Sequence, residues 1–247
     1  MSDDRELWRW WEAVGSAVPS DGVNIALWRG RLPRLEASGM HDAARRGWLG
    51  ASDVRAVERQ ATLELASRVA ARRLLRRMII AAHGGCAPDE VRIEVRCVHC
   101  HDTAHGAPTI VAPALALHRL STAATHDAFL LGLAAASIGV DVESPSAAAD
   151  LTSRSVGLAV PGWAAVERAC RPRTNVVDIW TAFEALTKAT GLGVSATPPT
   201  IVEALETHQL RWLEDEPDVV SCIATAEPEP AVAIVELHLT SAGVSAD

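Results

Sequence analysis

The sequence predicts an α+β fold, and three observations carry that expectation. Apolar runs of strand length recur along its 247 residues, segments with helical spacing lie between them, and no apolar stretch is long enough to span a bilayer. The first element is a strand within residues 22–32, where Val23-Asn24-Ile25-Ala26-Leu27-Trp28 alternates. Residues 52–83 place Leu63, Leu65, Val69, Leu74, Leu75 and Ile79 on helical spacing, with Ser52 or Asp53 as cap and Gly84-Gly85 as stop. One long helix is predicted there. Residues 91–95 alternate as a strand, and 97–113, rich in His, Gly and Pro, read as a loop. Residues 129–133 and 137–142 read as two adjacent strands, followed by a linker over 145–160. A short helix is predicted at 163–169 and a longer one at 175–190, ended by Gly191. Two strands, 219–225 and 231–239, flank the Pro-rich turn at 227–230.

Composition narrows the function classes. The chain is 49% hydrophobic and 22% charged, enough to bury a sizeable core. A net charge of −8 argues against generalised nucleic-acid binding. The charge is uneven: Arg68, Arg72, Arg73, Arg76 and Arg77 crowd one segment, whereas Arg211 is the only basic residue after Thr200. An Arg-rich first half suits a phosphate-bearing ligand or an acidic partner; a solvated helix face is the plainer account. Five cysteines, an odd number, make no disulfide framework and point to a reducing compartment, hence a cytoplasmic protein. The start, Met1-Ser2-Asp3-Asp4, is acidic where a signal peptide starts basic.

The chemistry-bearing residues lie in two segments. Asp141 and Glu143 sit two apart in Ile138-Gly139-Val140-Asp141-Val142-Glu143, so on a strand they leave one face. Glu184 and Lys188 sit four apart in the predicted helix, so they share a face one turn apart. Lys188 is the chain's only lysine among 23 basic residues. A strand and a helix that each present acid to one crevice suit a Mg²⁺ ion, which takes oxygen ligands and often substrate phosphate. Each element alone reduces to an exposed strand end, or to a Glu–Lys pair worth ~0.3–0.5 kcal/mol. Cys97, Cys100 and His105 have zinc-like spacing, but with no second cysteine pair at finger spacing a plain loop is the simpler reading.

Together the two segments resemble the 4′-phosphopantetheinyl transferases of the Sfp type. That family carries G-[IV]-D-[IV]-E, then W-x-x-K-E-[AS]-x-x-K, often followed by a Gly-x-Gly. Here Trp180-Thr181-Ala182-Phe183-Glu184-Ala185-Leu186-Thr187-Lys188 precedes Gly191 and Gly193, and 43 positions separate Asp141 from Glu184. The resemblance implies a monomeric pseudo-dimer of two similar α/β halves, residues 1–135 and 136–247, with the active site between them and the coenzyme A side in the first half. It implies transfer of 4′-phosphopantetheine from coenzyme A to a serine of an acyl or peptidyl carrier protein. In that scheme Asp141, Glu143 and Glu184 hold Mg²⁺, Glu184 takes the serine proton, and Lys188 stands near the phosphates. Arg72, Arg76, His105, Ser121, Thr122 and His126 would contact coenzyme A.

The chain departs from the family at three cationic positions. Phe183 replaces the lysine before Glu184, Ala107 replaces the lysine of a His-Gly-Lys-Pro loop, and Ser121-Thr122 stands where Ser-His is usual. Thr125-His126 restores the imidazole at a shorter spacing. Each lost charge-assisted contact costs ~1.5–3 kcal/mol. Two alternatives therefore accompany the transferase reading. One is a repurposed protein acting on another small molecule in natural-product biosynthesis. The other is a non-catalytic partner of a carrier protein or synthase.

Overall fold

Alternate side chains of the central strands face different cores, and two sheets share one apolar layer. The computed structural model describes residues 4–19, 23–97, 100–101, 106–111, 118–146, 159–191, 193, 196–213, 218–226 and 228–239. The elements are α1 (Asp4–Ser16), β1 (Ile25–Arg31), α2 (Ala37–Arg45), α3 (Ala51–Glu58), α4 (Leu63–Gly84), β2 (Ile93–Arg96), β3 (Ala107–Ile110), β4 (Arg119–Ala124), β5 (Ala128–Ala134), β6 (Ile138–Glu143), α5 (Trp163–Ala169), α6 (Val176–Thr190), α7 (Pro198–Thr207), β7 (Gln209–Trp212), β8 (Val220–Thr225) and β9 (Val232–Leu237). The fold is mixed α+β, with three sheets among the described residues.

One sheet runs β4-β5-β1-β9 and another β6-β8-β7, while β2 and β3 pair alone. On β1, Ala26 and Trp28 face a core shared with α1 and α4, whereas Ile25 and Leu27 face the other sheet. Ile138, Val140 and Val142 of β6 meet that second face. Their neighbours Gly139, Asp141 and Glu143 therefore turn to the opposite side, where α6 packs. The layers run helices, sheet, sheet, helices, and Ile179, Ala182, Phe183 and Leu186 of α6 fill the last interface.

Four expectations change on contact with the structure. The predicted helix over 52–83 is two helices, α3 and α4. Thr62 sits in extended backbone and its hydroxyl accepts from the Leu65 N–H at 3.2 Å, giving α4 its own start. The predicted loop over 97–113 contains β3, which pairs with β2. The adjacent strands β5 and β6 lie in different sheets, face to face. Finally, β9 does not pair with β8 but runs parallel to β1, joining the last strand to the first. The helix at 175–190 forms as expected: the Asn175 side chain caps it from Val177 N–H at 3.1 Å, and Gly191 ends it at φ 73°.

The strand order repeats. In the first half β1, α4, β4 and β5 follow in sequence, and the sheet reads β1-β5-β4; in the second, β6, α6, β7 and β8 follow, and the sheet reads β6-β8-β7. All four of these pairings are antiparallel.

Candidate active site

Gly139 lets the two motifs meet. A side chain there would overlap the Ala185 carbonyl and the Ala189 N–H, so only glycine allows the α6 backbone to lie directly on β6. Ser137 reinforces the contact, its hydroxyl donating to the Ala189 carbonyl at 2.6 Å. At this spacing Lys188 Nζ donates to Asp141 Oδ1 at 2.5 Å, and Trp180 Nε1 donates to Glu143 Oε1 at 3.1 Å. The sequence pattern assigned no role to Gly139, for which the available signal was a glycine inside a strand.

Charge is concentrated here. The Asp141 side chain is 5% exposed, that of Lys188 30%. Asp141 Oδ2 is buried with no hydrogen-bond partner. Burial pushes the Asp141 carboxyl up to about 7; Lys188 opposes that shift, and the charges of Glu143 and Glu184 add to it. Burial also raises Glu184, with Lys188 opposing and Glu143 adding. Glu143, Glu184 and Lys188 thus all bear on Asp141, and one ammonium faces three carboxylates.

The magnesium ion implied by the family resemblance does not fit these side chains as they stand. Lys188 occupies one oxygen of Asp141, and Trp180 engages Glu143. Among the described residues no group of three His, Cys, Asp or Glu side chains is close enough to hold a metal ion. Cys97 and Cys100 are described, but His105 lies outside the described residues.

The remaining candidates have other partners. Phe183 is 2% exposed in the α6 core and stacks on Trp180, with ring centroids 6.0 Å apart. It faces away from the carboxylates, where the sequence reading had it toward a phosphate. The reason is periodic: positions 179, 182, 183 and 186 share the apolar stripe of α6. Arg76 and its neighbours Arg73 and Arg77 all bind Asp53, at 3.2, 2.7 and 2.7 Å. Burial lowers Arg76 to about 10, although Asp53 pulls it back up. Asp53 is 1% exposed and also accepts from Gly50 N–H at 3.1 Å. Burial works against its charge, yet hydrogen bonds and charge from Arg73, Arg77 and Arg76 hold it below the usual carboxylate range. Arg72 is exposed. Ser121 is buried and its hydroxyl accepts from Val140 N–H at 2.9 Å, tying β4 to the edge of β6. Thr122 is half-buried on the opposite face of β4, and His126 is exposed at the β4–β5 turn, against Arg68. Ala107 is exposed in β3.

No protein-family model matches the chain, and no curated protein matches it. No helix among the described residues is long and apolar enough to cross a membrane.

Proposed function

We propose that this chain is a divergent phosphopantetheinyl-transferase-like enzyme that transfers the 4′-phosphopantetheine arm of coenzyme A to a carrier-protein serine. One observation supports it above the others. Two segments that are 43 positions apart, and mean little separately, meet at one place through Lys188–Asp141 and Trp180–Glu143. In this reading the serine oxygen attacks the β-phosphorus of coenzyme A, the new O–P bond forms, and 3′,5′-ADP leaves with the electrons of the broken bond. Glu184 takes the serine proton, a task suited to a carboxyl whose proton affinity burial has raised. Lys188 supplies positive charge to the phosphate oxygens. The pseudo-dimer of residues 1–135 and 136–247 belongs to the same proposal, supported by the repeated strand order, with β9 crossing back to the first half.

A second reading, a repurposed transferase-like protein acting on another small molecule, is favoured by the cation positions. Phe183 belongs to the core and Arg76 is spent on Asp53, so two positions expected at coenzyme A serve the fold. Incubation with apo-carrier protein, coenzyme A and Mg²⁺ decides between them. Mass gain of one phosphopantetheine arm on the carrier, lost in Glu184→Gln, is expected. A carrier panel that stays unmodified, while the protein binds no coenzyme A, would favour the repurposed reading.

A further inference from the structure

We propose that Cys97 and Cys100, at the end of β2, are a reversible thiol–disulfide site: a low-molecular-weight disulfide oxidises the pair through Cys100, and low-molecular-weight thiols restore it. The site uses none of the residues assigned above to transfer, so a failed transfer assay leaves it standing.

Three observations carry the argument. First, the backbone brings the two cysteines together. The Cys97 carbonyl accepts from the His101 N–H at 3.0 Å, which closes an α-turn over 97–101. In such a turn positions three apart are neighbours, within the ~4.4–6.8 Å between α-carbons that a disulfide spans. Second, one end of the turn is held and the other is open. Arg96 pairs with Ala107 in the β2–β3 ladder, and a side chain on Gly106, at φ 124°, would strike the Arg96 carbonyl and the Cys97 nitrogen. Cys97 is thus anchored at a strand end and half-buried, whereas Cys100 is exposed. A solute reaches the exposed sulfur, and the anchored one resolves the adduct. Third, the other cysteines compete poorly. Burial pushes the Cys170 thiol up to about 12 and also raises Cys222 and Cys86, which disfavours the thiolate that must attack.

The chemistry is a two-step exchange. The Cys100 thiolate attacks one sulfur of the solute disulfide, a mixed disulfide forms, and one solute thiolate leaves. The Cys97 thiolate then attacks the Cys100 sulfur, the Cys97–Cys100 bond forms, and the second solute thiolate leaves. The protein gives up two electrons and two protons, and the solute disulfide takes them up as two thiols. The bond closes only a short loop, which adds little stabilisation and keeps the step reversible.

The test equilibrates the native chain with oxidised and reduced glutathione, traps the thiols in acid and reads the peptides by mass. Trypsin releases residues 97–119 as one peptide that holds both cysteines, with Cys86, Cys170 and Cys222 on others. The expected product is that peptide lighter by two hydrogen atoms, returned to the dithiol by reduced glutathione. The folded chain is expected to form the disulfide about tenfold or more favourably than the same chain unfolded in urea, because the turn is already made. Cys97→Ser is expected to stop at a glutathione adduct on Cys100. Cys100→Ser is expected to take up glutathione at Cys97 about tenfold more slowly. A folded pair no easier to oxidise than the unfolded one would overturn the proposal, as would a disulfide that forms between other cysteines. Equal rates in the two variants would overturn the role of Cys100. The folded-to-unfolded ratio uses the native chain, so it decides the question even if a variant does not fold.

Discussion

At the scale of single residues, two buried aspartates play opposite parts. Asp53 gathers three guanidinium groups, and charges of both signs settle there with every carboxylate oxygen engaged. Removing it strands three partly or fully buried cations. Asp53→Ala is expected to destabilise by ~3–5 kcal/mol, read as a large fall in thermal midpoint, because breaking one side of a buried ion pair costs far more than the pair contributes. A shift within error would show that the arginines find water instead. Asp141 is the strained member. Its folded-state proton affinity lies above that of the unfolded chain, raised from 3.8 to about 7. A folded state that binds the proton more tightly is favoured in acid, so this contribution is complete below 3.8 and is lost as pH rises through about 7. Lys188, Glu143 and Glu184 are the charges that face it. Asp141→Asn removes that slope, and its thermal midpoint relative to the native chain is expected to climb between about pH 5 and about pH 8. A constant difference across that range would show that Lys188 keeps Asp141 ionised throughout.

At the scale of elements, the site is a product of how closely α6 lies on β6. That approach depends on Gly139, whose missing side chain is replaced by the backbone of α6 itself. Gly139→Ala must lift the helix or bend the strand. Overpacking of this kind costs ~1–3 kcal/mol in general, and here the obstacle is backbone, which yields less than a side chain. The variant is expected to lose stability and also to release Lys188 from Asp141, visible as a solvated-lysine resonance. Loss of stability with Lys188 still ion-paired would show that α6 shifts as a rigid rod without opening the site. The same element explains Phe183. Glu184 and Lys188 face the strand's carboxylates, while position 183 falls on the apolar stripe one step around the helix. A lysine at 183 would be buried in the core rather than added to the site.

At the scale of the molecule, the two sheets are held together through their shared apolar layer and through β9. Ile25, Leu27 and Leu130 on one side meet Ile138, Val140 and Ile223 on the other. β9 then closes the outer edge of β1, so the last described strand completes the sheet that the first one begins. A chain ended before Val232 would leave the β1 edge unpaired and strip Leu237 and Leu239 from the first core, uncovering the side chains they pack against. Such a truncation is expected to unfold or aggregate as a whole, seen by size exclusion and circular dichroism. A soluble variant with an unchanged midpoint would mean that β9 is an accessory strand. Division at residue 135 therefore separates two similar strand orders but not two independent cores.

Much of this was legible from local pattern. The strand at 138–143, the helix at 176–190 and the pairing of Glu184 with Lys188 on one helix face follow from periods of two and of 3.6, which are properties of the chain itself, and the stop at Gly191 follows from glycine's freedom at positive φ. The same period placed Phe183 in the core, and there the motif misled because it outweighed the periodicity. Other features depended on partners far along the chain. Thr62 divides a continuous helical pattern because its hydroxyl captures a backbone N–H, Arg76 serves Asp53 because α3 folds against α4, and β9 chooses β1 over its neighbour β8. Nor could spacing alone reveal that Lys188 sits on Asp141. Spacing fixes which side chains share a face. Which oppositely charged group is within reach, and whether water is excluded between them, is decided only when two faces are pressed together in the folded molecule.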